Sequence, residues 1–285
     1  MNNAIAPDGG ADATGLQDAR AVDRLGPYLR ATWERREWSW YVAASELRSR
    51  QVNSVLGNLW HLLNPLLQVG VFFLFFGLIL QTDRGVDNFL GYLSIGIFVY
   101  LHSQKATLAG GKSMLQYRQL MQLISFPRAL VPITSTMTEA LAALSGYFVM
   151  VVVVVTTGET FTPAWLLVVP LFAVQVVFNA GLALITARAV HRVYDIQQVL
   201  PFVFRLGFYA SGVLFNVNAY LEDNPLQVVF ELNPLYCFIE TYRGLLLDSN
   251  TVDTSLVITA LIWSFAVFVV GMLWFRGAED SYGSE

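Results

Sequence analysis

Four stretches of the chain hold no charged residue at all: Gln51 to Thr82, Ala140 to Gly158, Thr160 to Ala187 and Thr254 to Phe275. Each is near or above the ~18–20 residues that a helix needs to cross the hydrocarbon core of a bilayer. Following the apolar pattern along the whole chain predicts six spans, at 59–80, 89–109, 129–155, 164–187, 197–215 and 253–275. The predicted fold class is therefore an all-α polytopic membrane protein with six transmembrane helices.

Two regions depart from a simple bundle. In Trp33 to Gln51, a 3.6-residue period puts Trp33, Trp40, Ala44 and Leu47 on one face with Tyr41 at its edge. Arg35, Glu46 and Arg50 fall on the other side. That pattern predicts an N-terminal amphipathic helix lying in the membrane interface; the competing reading is a solvated helix packed on a soluble neighbour. The second region, Asn216 to Asn250, is apolar but broken by Glu222, Asp223, Pro225, Glu231, Pro234 and Glu240. No piece of it is long enough to cross. Two short re-entrant helices on the outer side are expected, about 223–232 and 235–247, because broken backbone at membrane depth survives only where protein or a water-filled cavity covers it. Asn233–Pro234 is the corner, since proline disfavours helix in the residue before it.

Charge sets the orientation. Arg20, Arg24, Arg30, Arg35, Arg36, Arg48 and Arg50 precede span one, and Lys112, Arg118 and Arg128 lie between spans two and three. Arg188 and Arg192 follow span four and Arg276 follows span six, whereas the opposite side holds Arg84 and Arg243 among many acids. Cytoplasmic loops are enriched in Lys and Arg, so both termini are expected in the cytoplasm. Only 13% of residues are charged and mean hydropathy is +0.52, about half the charge of a soluble domain. Cys237 is the single cysteine, which excludes a disulfide framework and a cysteine-based zinc site. Residues 1–25 are small, polar and acidic, without the basic and apolar regions of a signal peptide, and read as a disordered cytoplasmic tail.

Three motifs, in order, carry a resemblance. The run from Ser54 through Gly57, Trp60 and Pro65 resembles the start of span one in ABC-2-type permeases that export polysaccharides and polyol phosphates. Phe126-Pro127-Arg128 with Pro132 resembles that family's junction into span three, and Asn233-Pro234-Leu235-Tyr236 followed by Glu240 and Arg243 resembles its outer re-entrant helices. The match runs over 33–276. It implies an interface-helix region over 26–57, an ABC-2 transmembrane domain over 58–276 and a short cytoplasmic tail at 277–285. It further implies a homodimer of this chain in the bacterial cytoplasmic membrane, with two ABC ATPase subunits beneath it. No cofactor is expected in this chain, since ATP and magnesium would sit in the partner. The other implied partners are a lipid-linked glycan and membrane lipids, with no nucleic acid. In relatives the interface helix and the loop between spans two and three touch the ATPase. Here that resemblance singles out Trp33, Arg36, Lys112, Tyr117 and Arg118, with a further contact after span four at Arg192.

Candidate pathway residues come next. Glu139 in span three and Arg205 in span five read as the internal charges. A carboxylate at mid-bilayer costs about 3 kcal/mol on insertion scales, so the two are expected either to pair or to face an aqueous path. Aromatic rings stack on the C–H faces of sugars, which makes Phe72, Phe76 and Tyr209 candidate channel residues on spans one and five. Glu240 and Arg243 can pair locally at i, i+3, and the family pattern gives them an outer gate. Ala106 to Ser113, with Gly110, Gly111 and Lys112, fits a relaxed phosphate-binding loop, but it follows a membrane span rather than a strand and is read as a flexible basic turn. His61, His102 and His191 fall near span ends and are read as interfacial polar caps rather than metal ligands.

These observations favour a permease subunit without chemistry of its own. An intramembrane enzyme would need paired catalytic groups at membrane depth, and an ABC-2 permease for a small lipid or drug is separated only by the start of span one and the short outer loop. Arginine outnumbers lysine fifteen to two, which points to a GC-rich genome and thence to a cell-wall galactan as the glycan.

Overall fold

The computed structural model describes residues 25–49, 59–79, 86–123, 126–220 and 224–278. Among these, every regular element is helical. The expected N-terminal tail, Arg50, the first residues of the Ser54 motif, Arg84, Glu222, Asp223 and the end of the C-terminal tail lie outside the described residues.

Two helices, α1 (Leu25–Glu34) and α2 (Arg36–Ser49), precede α3 (Trp60–Phe72), which continues as π-helical turns over Phe73–Ile79. The bundle proper follows: α4 (Phe89–Gln116), α5 (Arg118–Leu123), α6 (Leu130–Thr156), α7 (Val168–Arg192, led by a 3₁₀ turn at Pro163–Leu167) and α8 (Ile196–Tyr209). Short α9 (Val217–Tyr220) and α10 (Gln227–Glu231) lead to α11 (Pro234–Leu246) and α12 (Thr254–Arg276). The corner between α10 and α11 falls at Asn233–Pro234. There the Asn233 side chain accepts from the Leu235 amide and Pro234 opens the helix, an ordinary N-cap arrangement.

The central helix is α4. It packs along α6 and α7 and also meets α3, α8 and α11. Its polar residues Ser94, His102, Ser103, Thr107 and Ser113 are buried between helices, while apolar Leu144, Phe148, Ile262 and Phe265 on α6 and α12 face outward. Apolar outside and polar inside is the arrangement of a bundle whose solvent is lipid. Close helix approach depends on glycine: a Cβ on Gly181 of α7 would lie 2.6 Å from the Phe268 amide nitrogen of α12.

Among the described residues, three helices are long and apolar enough to cross a membrane: Leu130–Thr156, Pro163–Arg192 and Thr254–Arg276. The remaining expected spans differ in form. Span two is longer than expected, continuing as helix through Gln116. Span five is shorter: α8 has 14 residues and stops at Tyr209 rather than 215, about 21 Å at ~1.5 Å per residue. The chain leaves the helix through Gly212, whose φ of 60° suits glycine.

The sign asymmetry of the loops becomes two chemically different ends. At one, Glu159 accepts from the Asn88 amide group at 2.8 Å and from the Asp248 backbone N–H at 2.5 Å. At the other, Arg188 donates to the Trp274 carbonyl and lies over its indole, and the Ala129 N–H donates to the Tyr28 hydroxyl at 3.2 Å.

The expected amphipathic helix is present but broken and turned. A turn at Arg35 separates α1 from α2, and α2 packs on α6. Its inward positions are Ser39 and Ala43, with Glu46 half-buried one turn on. Trp33, Trp40 and Tyr41 are exposed. Small and polar side chains thus make the helix–helix contact, because they let backbones approach, and the aromatic residues point away from the bundle. Glu46 is on the inner side rather than the solvent side.

Candidate functional site

Periodicity on two neighbouring helices builds a groove. On α4, Phe98, Leu101, His102, Lys105, Ala109 and Lys112 recur at three- and four-residue steps, so they share one face. On α6, Glu139, Ala143, Gly146 and Tyr147 do the same. These faces line a half-open groove of about 680 Å³, to which Glu46 and Ser49 of α2 and Pro65 of α3 also contribute. Its ends differ: Ser49, Lys105, Lys112 and Gln116 are exposed, whereas Phe98, His102, Glu139 and Tyr147 are buried.

Lys105 is a residue that the sequence reading passes over. It falls inside the predicted second span, so Glu139 and Arg205 are not the whole set of internal charges. The signal was present: the chain's two lysines stand seven residues apart, on one helical face.

The blind end of the groove is a hydrogen-bonded network. Gln175 of α7 donates through Nε2 to the Val99 carbonyl and to Ser103 Oγ, both at 3.0 Å. Tyr147 donates its hydroxyl to Gln175 Oε1 at 2.7 Å and lies 3.5 Å from His102 Nδ1. The His102 ring stacks on Phe172 with centroids 5.0 Å apart. His102 is therefore not the interfacial cap expected from sequence. It sits halfway along α4, because a 28-residue helix carries this position deep into the bundle. His191 does fall in the last turn of α7.

At the open end, Glu46 is a junction. Its Oε2 accepts from the Tyr117 hydroxyl at 2.9 Å and from Thr138 Oγ1 at 3.3 Å. One carboxylate thus joins α2 to α6 and to the corner between α4 and α5. Charge-assisted bonds of this kind are worth ~1.5–3 kcal/mol, so Tyr117→Phe should lower stability by about 1–2 kcal/mol. In a double-mutant cycle with Glu46→Gln, read by thermal unfolding in detergent, the two losses should fall well short of additive.

The opposite end is fastened by Arg243. Its Nη1 donates to Glu240 Oε1 at 2.6 Å and to the Gly212 carbonyl at 2.9 Å; Nη2 donates to the Val213 carbonyl at 2.9 Å and the Tyr92 carbonyl at 3.2 Å. Nε reaches the Tyr92 carbonyl at 3.3 Å, and the guanidinium lies over the Tyr92 ring. A guanidinium has five N–H donors, and these five contacts use them. The residue is fully buried. It ties α11 to α4 and to the turn that ends α8, which is why the carbonyls of that turn need no helix.

The other sequence candidates scatter. Glu139 is buried in the groove and Arg205 is exposed on α8; no ion pair joins them. Phe72 stacks on Phe208 at 5.4 Å and contacts Phe76, so both lie in an aromatic cluster between α3 and α8, while Tyr209 is exposed. Trp33 carries Arg36 over its ring, Tyr117 is held by Glu46, and Arg118 and Arg192 are exposed at the arginine-rich end. The phosphate-loop-like run is neither a loop nor a turn. Ala106–Ser113 is continuous α4, and Gly110 is the point where α4 meets Ala183 of α7.

A helical bundle with lipid-facing apolar surfaces, polar interior and ends of opposite charge defines an integral membrane protein. The sequence profile of the ABC-2 type transporter family matches residues 39–247, and the chain belongs to that family. It is similar to two proteins from Klebsiella pneumoniae, each described as an O-antigen export system permease protein RfbA. One is 25% identical over 210 residues, covering 73% of this chain and 80% of that protein. The other is 23% identical over 236 residues, covering 82% and 89%. A protein of the same description from Myxococcus xanthus is 22% identical over 231 residues, covering 80% and 85%.

Proposed function

We propose that this chain is the membrane-spanning permease subunit of an ABC exporter that moves a lipid-linked, O-antigen-like polysaccharide across the bacterial inner membrane. The observation that carries it is the likeness to O-antigen export permeases over most of both chains. Under this reading two copies form the membrane unit, each with six crossings and both termini cytoplasmic. ATP is hydrolysed by a separate subunit seated against α2 and the corner between α4 and α5. Because Glu46 joins those two elements to α6, a push from below moves them together. The exposed face of α8, with Phe202, Val203, Arg205, Leu206 and Tyr209, is the surface offered to the second copy.

The test is purification of the tagged chain from native membranes in mild detergent, with and without crosslinking, and mass spectrometry of what co-elutes. An ABC ATPase in equal amount supports the reading. A clean preparation with none, in both conditions, contradicts it.

A further inference from the structure

The exposed side of α8 is divided into two stripes. Gln198, Phe202, Arg205 and Tyr209 follow one another at steps of four, three and four residues, and all four are exposed, so they form one line along the helix. Val199, Val203 and Leu206 form a second line beside it, each more than half exposed. The remaining side turns inward. Phe204 and Phe208 meet the Tyr100 ring, Phe208 also stacks on Phe72, and the Tyr100 hydroxyl donates to the Phe204 carbonyl. Two sides of the helix are thus apolar, and the third carries an amide, a guanidinium and a phenol.

Arg205 indicates which solvent that third side meets. It lies nine residues from the start of α8, about 14 Å at ~1.5 Å per residue. That is near the middle of a ~30 Å hydrocarbon core, under the six-crossing, two-copy reading on which this inference rests. An arginine at such depth faces a protein interior or a water-filled cavity. Among the described residues Arg205 makes no hydrogen bond or ion pair, and it is exposed, so no interior of this copy takes it. The outer end of α8 agrees. The helix stops after 14 residues, and the exposed Ala210 that follows accepts from the Asn233 amide group at 3.0 Å. Non-helical backbone at membrane depth is tolerated where protein covers it or where it lines a water-filled cavity. A second copy packed dry on this stripe would set Arg205 toward its own counterpart, since a two-fold contact joins a patch to itself. Like charges stand there only with water between them.

We propose that the stripe of Gln198, Phe202, Arg205 and Tyr209 lines an aqueous passage between two copies, and that Arg205 is its charge filter. Val199, Val203 and Leu206 make the dry contact beside it. A fixed guanidinium in a narrow passage with low-dielectric walls attracts anions and raises a barrier to cations. A passage wide enough for a polysaccharide would otherwise let protons and alkali cations run down their gradients. The two Arg205 side chains, one from each copy, oppose that leak at mid-depth. The filter is incomplete without the second copy, which supplies the other guanidinium.

Thiol labelling tests this in opened membrane vesicles from cells that make the full chain, where its native partners stay in place. Two water-borne methanethiosulfonates are compared, the anionic sulfonatoethyl and the cationic trimethylammonioethyl reagents. Cys237 is buried, so the unsubstituted chain gives the background. Phe202→Cys, one turn from Arg205, should react at least about tenfold faster than Phe265→Cys on the outward face of α12, because the reactive thiolate is disfavoured in apolar surroundings. In the Phe202→Cys chain, Arg205→Gln should lower the ratio of anionic to cationic rates about tenfold, and Arg205→Lys should preserve it. Phe202→Cys reacting no faster than Phe265→Cys would put the stripe in lipid or in a dry contact and overturn the proposal. So would a rate ratio unmoved by Arg205→Gln, or one that Arg205→Lys loses just as fully. Phe202 and Arg205 are both exposed, so these variants leave the packed side of α8 intact. Labelling reads neither the ATPase nor the glycan, so its failure is separate from failure of the export reading.

Discussion

Arg243→Gln should cost about 3–5 kcal/mol, the usual consequence of removing one partner of a buried charge pair. The loss is expected to be large because nothing replaces what the guanidinium does. The carbonyls of Tyr92, Gly212 and Val213 and the carboxylate of Glu240 all accept from this one side chain. The partly buried Glu240 carboxylate and three buried carbonyls would then be left as acceptors without their shared donor. Arg243→Lys should rescue little, since an ammonium has three donors at a single point and cannot span the same four groups. Glu240→Gln should be milder, because Glu240 is partly solvated and the backbone contacts remain. The measurement is apparent melting temperature by fluorescence-detected size exclusion. The order of loss should be Gln and Lys at 243 together, then Gln at 240. A lysine variant as stable as the parent would show that charge alone, and not the five-donor geometry, holds this end.

Gly181→Ala is the second large effect. A methyl group there would sit 2.6 Å from both the Phe268 nitrogen and the Val267 carbonyl carbon of α12, and the neighbouring Gly271 is as closely matched to the Gly181 carbonyl. Backbone atoms cannot rotate out of the way as a side chain does, so α7 and α12 must separate. Overpacking of this kind costs about 1–3 kcal/mol, and a fall of roughly 3–8 °C in apparent melting is expected. Gly158→Ala is the control within the same chain: no atom lies within 4 Å of the Cβ position, and its φ of 102° confines the cost to local strain. Equal losses at the two positions would contradict the account of α7–α12 contact.

Much of the fold is written in the apolar runs, and what is not has identifiable causes. Long charge-free stretches gave α6, α7 and α12 within a few residues, and Asn233–Pro234 marked a helix start that local stereochemistry alone dictates. The far end of α8 was not legible. Its apolar pattern continues to 215, and only the arrival of Arg243 from thirty residues downstream lets the chain leave the helix at Tyr209. The inner face of α2 was misread for a related reason. The aromatic face points away from the bundle, in keeping with an interfacial helix, but periodicity does not say that Glu46, on the other face, meets Tyr117 and Thr138 rather than water. His102 and Lys105 were obscured because α4, the helix that carries the groove, is the most polar of the long helices. Hydropathy treats their positions as the end of a span, when the helix continues for two more turns. The pairing of Glu139 with Arg205 was an inference from equal depth, which says nothing about whether two helices face each other.

The central claim, that this chain carries a lipid-linked polysaccharide across the membrane, is tested most directly by depleting it in its native host. Two quantities are followed together: polysaccharide on the cell surface and lipid-linked glycan facing the cytoplasm. The account predicts that surface polysaccharide falls while the lipid-linked form accumulates on the cytoplasmic side, with synthesis continuing. Unchanged surface polysaccharide, or loss of the lipid-linked glycan without accumulation, would contradict it.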